Sequence, residues 1–113
     1  MAEKPILLTG AAGALGRWLR PRLIEKYGRL RVSDRADPGP LLKGEEGIVA
    51  DLANFELVSR AVAGAKAIIH FGAYSIEAKW ETILPANIVG TYNVYEAARI
   101  GRASCRERVS PYV

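Results

Sequence analysis

The feature that most limits what this chain can fold into is a glycine-rich segment near its start, residues 9–16, with the sequence TGAAGALG. Its three glycines, Gly10, Gly13 and Gly16, are spaced three residues apart between a short apolar run and a segment with helical patterning. A turn from a buried strand into a helix needs glycine where the main chain bends tightly and where the helix lies close to the strand. The spacing therefore predicts a strand–turn–helix unit at the start of the chain.

The rest of the chain alternates short apolar runs with segments of helical periodicity. We predict four strands, at residues 5–9, 30–33, 47–50 and 65–71. We predict three helices, at residues 14–27, 55–63 and 80–99. Strands that alternate with helices are typical of an α/β fold, in which helices cover both faces of a parallel sheet. The chain therefore fits a Rossmann-type doubly wound parallel sheet, incomplete at about four strands with flanking helices.

The first predicted helix carries an apolar face. Its members are Leu15, Trp18, Leu19 and Leu23. Apolar residues at this spacing pack against a core, whereas Pro21 in the same helix removes a hydrogen bond and favours a kink. We therefore expect the helix to bury this face and to end at Gly28.

The glycine-rich segment also has the chemistry of a phosphate site. A glycine without a Cβ lets a pyrophosphate approach the main chain, and the helix that follows offers free N–H groups and the positive end of its dipole. We predict that the pyrophosphate of a dinucleotide binds here. The residues predicted to contact it are Gly10, Gly13, Ala14, Leu15 and Gly16. The alternative is a glycine-rich turn without a ligand.

Two aspartates follow the second and third predicted strands. Asp34 lies 24 residues after Gly10, near the offset at which an acidic residue binds the adenosine ribose hydroxyls. A carboxylate there favours NAD over NADP, although the adjacent Arg35 could soften the preference, and the alternative is an aspartate that only forms a turn. Asp51, followed by Leu52, could accept a hydrogen bond from the adenine amino group or cap the next helix, and both roles stay open.

Composition excludes several classes of function. The 113 residues suit one small domain or part of a larger one. The net charge is +4, but three arginines and one glutamate place half of it in residues 100–113, so the nearly neutral body argues against nucleic-acid binding. No apolar run approaches the ~20 residues of a membrane helix and no secretory signal is present, which predicts a soluble cytoplasmic protein. The single cysteine, Cys105, excludes a disulfide scaffold, and no metal site is expected.

Together these features resemble the NAD-dependent epimerase/dehydratase family, the extended short-chain dehydrogenases/reductases. The resemblance extends over residues 5–99 and includes two further segments, HFGA at residues 70–73 and NIVGT at residues 87–91. It implies a Rossmann domain that binds NAD. Residues 1–99 are then the N-terminal part of an NAD(P)-binding domain.

Residues 70–99 resemble one subgroup of this family, the uronate dehydrogenases, which oxidise a hexuronic acid at C1 with NAD as hydride acceptor. The resemblance implies that Gly72, Ala73 and Ser75 border the nicotinamide. Glycine is common in the subgroup at the position of Ala73, so the chain departs slightly from the pattern there. Asn87 is expected in the helix that backs the active site, among the cofactor-binding residues.

The same resemblance implies a substrate region directly after the fourth strand. The residues expected to reach the sugar acid are Ser75, Ile76 and Glu77. The alternative is that Ser75 and Glu77 are ordinary loop residues. His70, the only histidine, lies in an apolar run and is expected to be a core residue at a strand end rather than a proton shuttle.

The family's catalytic pair, Tyr-x-x-x-Lys, does not occur in the 113 residues. In that pair the lysine and the cofactor lower the pKa of the tyrosine, which moves the hydroxyl proton while hydride passes to the nicotinamide. Tyr92 and Tyr95 lack a lysine four residues later and are expected to be packing groups. We therefore assign no catalytic residue and expect the NAD-binding half of a sugar-acid oxidoreductase, inactive alone. The alternatives are a fragment of a nucleotide-sugar epimerase or dehydratase and a non-catalytic dinucleotide-binding module.

Residues 100–113 do not continue the family pattern, because an apolar fifth strand is expected after the third helix. They resemble a translated sequencing adapter, and we interpret them as a non-native tail; a native basic tail and a frameshift are the other interpretations. In the strand order 3-2-1-4 the fourth strand then lacks an outer neighbour, so we expect a marginally stable chain. The sequence does not indicate an oligomeric state.

Overall fold

The computed structural model describes residues 4–101 as a layered α/β unit. Its strands are β1 Ile6–Thr9, β2 Leu30–Asp34, β3 Glu45–Val49 and β4 Ala67–His70. Its helices are α1 Ala14–Tyr27, α2 Phe55–Val62, α3 Trp80–Ile83 and α4 Gly90–Gly101, with a π-helical segment, Leu84–Val89, between α3 and α4. The predicted order of strands and helices is confirmed.

The four strands form one parallel sheet in the order β3-β2-β1-β4. Thr9, the last residue of β1, pairs with Ser33 on one side and with His70 on the other. Because all strands run the same way, their carboxyl ends meet at one edge of the sheet. This order and this edge confirm the Rossmann-type prediction.

The core has two halves because neighbouring side chains of β1 point to opposite faces of the sheet. Leu7 packs with Val58, Val62 and Val94, which belong to α2 and α4. A second cluster forms around Leu8 on the other face. Its other members include Leu30 and Val32 of β2, with Leu23 and Ile24 of α1 against them. Side chains on both faces of β1 are therefore buried, as its uninterrupted apolar sequence predicts.

The prediction that α1 buries an apolar face is wrong for the first half of the helix. Leu15 and Trp18 are 52% and 54% exposed, whereas Gly16 and Arg20 are buried. The helix lies on the glycine-rich turn through Gly16, which rotates the two large side chains outward. The guanidinium of Arg22 stacks on Trp18 at 3.7 Å and shields part of the ring. The helix runs to Tyr27 as predicted and ends at Gly28, whose φ is 85°.

β3 begins at Glu45, two residues before the predicted strand. The apolar pattern did not include these two residues because both are charged glutamates. The buried side chain of Glu45 forms an ion pair with Arg20 at 2.7 Å, and Glu46 pairs with Arg31 at 2.6 Å. Burial alone would raise the pKa of the Glu45 carboxyl, but hydrogen bonds from Arg20 and from the Leu42 N–H, with the Arg20 charge, hold that pKa below its ordinary value. These partners make two glutamates compatible with a strand.

The third predicted helix is interrupted by the π-helical segment. Pro85 lies inside this segment, as an internal break predicts, and the Gly90 N–H donates to the Pro85 carbonyl five residues earlier. α4 continues to Gly101, so Ile100 and Gly101 of the predicted tail are helical. Residues 102–113, and with them Cys105, lie outside the described residues. Within residues 4–101 no helix is long and apolar enough to cross a membrane.

Candidate functional site

A cavity of about 390 Å³ opens at the edge where the carboxyl ends of the strands meet. All four strand ends, α3 and the π-helical segment contribute to its wall. The lining residues are Thr9, Gly10, Ser33, Asp34, Arg35, Ala50, Asp51, Leu52, Gly72, Ala73, Tyr74, Glu81, Thr82, Pro85 and Ala86. In doubly wound sheets this edge is where ligands bind.

Two of the three glycines in the turn are required by packing. Gly10 has a φ of 74°, and a Cβ there would lie 2.7 Å from the Phe71 carbonyl carbon. At Gly16 a Cβ would lie 2.3 Å from the Gly10 oxygen. Both neighbours are main-chain atoms, so neither close approach can be relieved by moving a side chain. These glycines let β1, α1 and the loop after β4 come together.

Gly13 differs from its two neighbours in the motif. Its φ of −79° and ψ of 175° are available to any residue. A Cβ at this position would meet only the Gly10 oxygen within the described part of the chain, at an ordinary 3.6 Å. Gly13 is also exposed. The protein's own packing therefore does not explain this glycine.

The first turn of α1 has neither a side-chain cap nor an acidic residue that could take the place of a bound anion. Gly13 is the N-cap and makes no side-chain hydrogen bond, and no acidic residue occupies the first turn. The Gly13 N–H donates to the Gly10 carbonyl at 3.2 Å, whereas Ala14 and Leu15 are exposed residues whose N–H groups, in the first turn, have no partner within the helix. This is the arrangement in which a helix start binds a phosphate.

Asp34 lies directly beside the glycine-rich turn. Its Oδ2 accepts the Ala12 N–H at 2.9 Å, and its Oδ1 accepts the Arg35 N–H at 2.7 Å. A carboxylate has about four lone-pair positions, so it keeps accepting capacity for further donors. The structure thus brings the predicted acidic residue to the turn, while its role toward a ribose stays a prediction.

Asp51 lines the cavity, but one of the two roles left open for it, the N-cap of α2, is wrong. The N-cap is Asn54, whose Oδ1 accepts the Leu57 N–H at 3.1 Å. Asp51 instead forms a tight turn by accepting the Ala53 N–H at 2.9 Å. The sequence gives two polar residues before α2, and only the turn geometry decides which one caps the helix.

Leu52 connects three parts of the site. A Cβ on Gly72 would lie 2.7 Å from Leu52 Cδ1, and one on Gly90 would lie 2.8 Å from Leu52 Cβ. The Leu52 carbonyl accepts a hydrogen bond from Asn93 Nδ2 at 2.8 Å. Leu52 therefore holds the loop after β4 and the start of α4 against the end of β3.

The loop after β4 is only partly in the cavity. Gly72, Ala73 and Tyr74 line it. The predicted substrate residues are exposed and lie outside the lining; they are Ser75, Ile76 and Glu77.

Asn87 also lies outside the lining. Its side chain accepts the Tyr74 N–H at 2.6 Å and donates to the Tyr74 carbonyl at 3.0 Å. Asn87 thus fixes the main chain of Tyr74, which lines the cavity, without lining the cavity itself. An effect of Asn87 on a bound cofactor would therefore be indirect, through Tyr74.

α3 and the π-helical segment supply a wall of the cavity that the sequence pattern did not predict. Its residues are Glu81, Thr82, Pro85 and Ala86. This wall could have been predicted from chain order, because a helix that follows the end of a strand begins at the same edge of the sheet. Among residues 4–101, no group of three or more His, Cys, Asp and Glu could hold a metal ion.

His70 is completely buried at the end of β4, as predicted for a core residue. Its Nδ1 lies 2.6 Å from Thr9 Oγ1, and the same oxygen accepts the Gly72 N–H at 2.9 Å. Burial lowers the pKa of the imidazole from 6.5 to about 4, so the ring is neutral near pH 7. Its Nε2 has no hydrogen-bond partner within the described residues.

Comparisons with known proteins agree with this architecture. A uronate dehydrogenase from Pseudomonas syringae pv. tomato is 48% identical over 95 residues, which cover 83% of this chain and 34% of that protein. The crystal structure of a mutant uronate dehydrogenase from Agrobacterium tumefaciens, complexed with NAD, aligns with a TM-score of 0.87 and 43% identity, covering 96% of this chain and 41% of that one.

A glucuronic acid dehydrogenase from Chromohalobacter salexigens aligns with a TM-score of 0.84 and 40% identity, covering 94% of this chain and 39% of that one. The chain thus spans about a third of the length of the curated relatives it matches, 34% in the case of the P. syringae protein. The model of one family matches residues 6–109, which is most of the chain. The chain therefore belongs to the NAD dependent epimerase/dehydratase family.

Proposed function

We propose that this chain is the NAD-binding half of an oxidoreductase of the uronate dehydrogenase type. Family membership and the similarity to uronate dehydrogenases, one of them solved with NAD, support this function. Bound NAD would supply the hydride acceptor for oxidation of a hexuronic acid at C1. Because the 113 residues contain no Tyr-x-x-x-Lys, we propose that the chain alone does not catalyse the reaction.

Gly13 is the observation that carries the proposal for NAD. Two glycines of the turn are explained by close main-chain contacts, but Gly13 has an ordinary conformation and room for a Cβ. A glycine that no close contact requires is accounted for by a ligand that must approach the main chain there. A pyrophosphate is such a ligand, since the exposed N–H groups at the start of α1 attract an anion.

The other residues of the cavity fit the remaining parts of a dinucleotide. Asp34 keeps accepting capacity for ribose hydroxyls, and we place the adenine next to Asp51 and Leu52 in the lining. Gly72 and Ala73 lie on the β4 side of the cavity, where we place the nicotinamide half. Ser75, Ile76 and Glu77 then remain exposed for contact with the sugar acid and with the rest of a longer protein.

The test is NADH binding by the chain and by Gly13→Ala, measured by isothermal titration calorimetry. Gly13→Ala should keep the circular dichroism spectrum of the unsubstituted chain, since its Cβ meets only one atom at 3.6 Å, and should lower the free energy of unfolding by no more than about 1 kcal/mol, the cost of alanine at an N-cap. Its NADH affinity should fall about tenfold or more, because the methyl group occupies the space of the pyrophosphate.

A matched control is Gly64→Ala, which lies just after α2, away from the cavity. Gly64 has a φ of 77°, so alanine there should lower the free energy of unfolding by about 1 kcal/mol without changing NADH affinity. Equal NADH affinity of Gly13→Ala and the unsubstituted chain would show that the proposed phosphate site is wrong. Loss of affinity in both variants would attribute the effect to stability instead.

A further inference from the structure

A buried chain of hydrogen bonds connects β4, β1 and the loop that lines the cavity. His70 Nδ1 lies 2.6 Å from Thr9 Oγ1, and Thr9 Oγ1 accepts the Gly72 N–H at 2.9 Å. His70 is 0% exposed and Thr9 only 3%. Bonds of this kind, shielded from water, keep their geometry and are costly to leave unmade.

The direction of the first bond follows from counting donors and acceptors. A neutral imidazole carries its proton on one nitrogen only. If Nδ1 carried it, both the Thr9 hydroxyl hydrogen and the Nε2 lone pair would lack a partner among residues 4–101. If Nε2 carries it, the Thr9 hydroxyl donates to Nδ1 and only the Nε2–H is left over. The second arrangement leaves fewer unpaired buried groups and is therefore favoured.

We propose that His70 is a positioning residue: it orients the Thr9 hydroxyl so that its oxygen holds the Gly72 N–H and sets the main chain of Gly72 and Ala73 at the cavity wall. The Gly72 main chain passes close to the side chains of Thr9 and Leu52. A Cβ on it would lie 3.2 Å from Thr9 Oγ1 and 2.7 Å from Leu52 Cδ1. The consequence for NAD affinity rests on the proposed function, whereas the hydrogen-bond chain itself does not.

Paired substitutions distinguish the contribution of the hydrogen-bond acceptor at Nδ1 from the contribution of the ring's volume. His70→Asn places an amide oxygen near the position of Nδ1, whereas His70→Leu fills space without an acceptor. Thr9→Ser keeps the hydroxyl, and Thr9→Val removes it. We expect His70→Leu and Thr9→Val to weaken NADH binding about fivefold, and His70→Asn and Thr9→Ser to remain within about twofold of the unsubstituted chain.

The double variant Thr9→Val/His70→Leu tests whether the two residues act as one unit. If they do, it should bind NADH no more weakly than either single variant. Multiplication of the two single losses would contradict a shared role.

Nuclear magnetic resonance provides a readout that does not depend on NADH. The ring nitrogens of His70 should report the neutral tautomer with the proton on Nε2, and the Gly72 amide proton should keep its shift in His70→Asn but not in His70→Leu. A tautomer protonated on Nδ1 in the unsubstituted chain would overturn the proposal even if a variant fails to fold. If NADH does not bind at all, the proposed function fails while these signals still decide whether His70 positions Gly72.

Discussion

α1 and α2 both begin at the cavity edge of the sheet, yet their first turns are built in opposite ways. α2 is complete in itself: Asn54 caps it by accepting the Leu57 N–H, and Glu56 places a negative charge in the first turn. α1 has glycine as its N-cap, no side-chain cap and no acidic residue in the first turn. Helix N-termini expose unpaired N–H groups and partial positive charge, which a cap or an anion stabilises.

The difference separates a structural helix start from a binding one. In α2 the Asn54 side chain accepts one first-turn N–H, that of Leu57, and the charge of Glu56 lies in the same turn, so this helix start is stabilised without a ligand. In α1 the first-turn residues Ala14 and Leu15 are exposed, and an external anion can replace the missing cap there. A binding site of this kind gives up local stability that its ligand restores.

The largest expected effect comes from Gly16→Ala. In an ordinary helix this change is stabilising by about 1 kcal/mol, because alanine is the better helix former. Here the Cβ would lie 2.3 Å from the Gly10 oxygen and 2.8 Å from Ala11 Cα, so α1 must move away from the turn. We expect a loss of about 3 kcal/mol or more in the free energy of unfolding, measured by urea denaturation.

Gly13→Ala is the control for this prediction, since it adds the same methyl group to the same turn where space is available. It should lower the free energy of unfolding by no more than about 1 kcal/mol, the cost of alanine at an N-cap. A stabilised Gly16→Ala would mean that α1 does not rest on the turn as described, and the distinction between the two helix starts would lose its structural basis.

A smaller effect is expected at the capped helix. Asn54→Ala removes the oxygen that accepts the Leu57 N–H and should lower the free energy of unfolding by about 1 kcal/mol. Asn54→Asp and Asn54→Ser keep an acceptor and should recover most of this loss. NADH affinity should be the same in all three variants, so a change in affinity would show that α2 takes part in binding.

The spacing of glycines and strands predicts most of this architecture because main-chain requirements are local. Gly10 needs a positive φ and Gly16 needs close packing, and both needs follow from a strand turning into a helix. The offset to Asp34 follows in the same way, since β2 pairs in parallel with β1 and ends at the same edge. The edge, the turn and the acidic residue could therefore be placed from the sequence.

Long-range side-chain partners could not be predicted in this way. Glu45 forms part of a strand only because Arg20, 25 residues earlier in the chain, neutralises it. Trp18 is exposed because Gly16 sets the rotation of α1. Asn87 holds Tyr74 across a loop whose shape no local pattern determines. In each case the partner is fixed by packing of separate elements, so a single sequence gives no indication of the pair.

The smallest expected effect comes from adding a negative charge to the start of α1, which makes it resemble the start of α2 in charge. Leu15 and Glu56 occupy the same place in the two helices, the second residue of the first turn. Leu15→Glu adds to α1 the charge that α2 already has, and Leu15→Gln is its neutral match. A carboxylate at a helix start stabilises the helix by about 0.3–1 kcal/mol, so Leu15→Glu should unfold at slightly higher urea than Leu15→Gln.

The same charge should have the opposite effect on binding, because it competes with the pyrophosphate for the exposed N–H groups. We expect NADH affinity about threefold lower in Leu15→Glu than in Leu15→Gln at low salt, with the gap narrowing as salt is added. In α2 the matched change Glu56→Gln should lower stability by a few tenths of a kcal/mol, partly through loss of the exposed pair with Arg60, and leave NADH affinity unchanged. The carboxylate of Leu15→Glu and the pyrophosphate of NADH compete for the same N–H groups, so a gain in stability should accompany a loss of affinity. If the charge at position 15 changes stability and affinity in the same direction, the two helix starts do not differ in function.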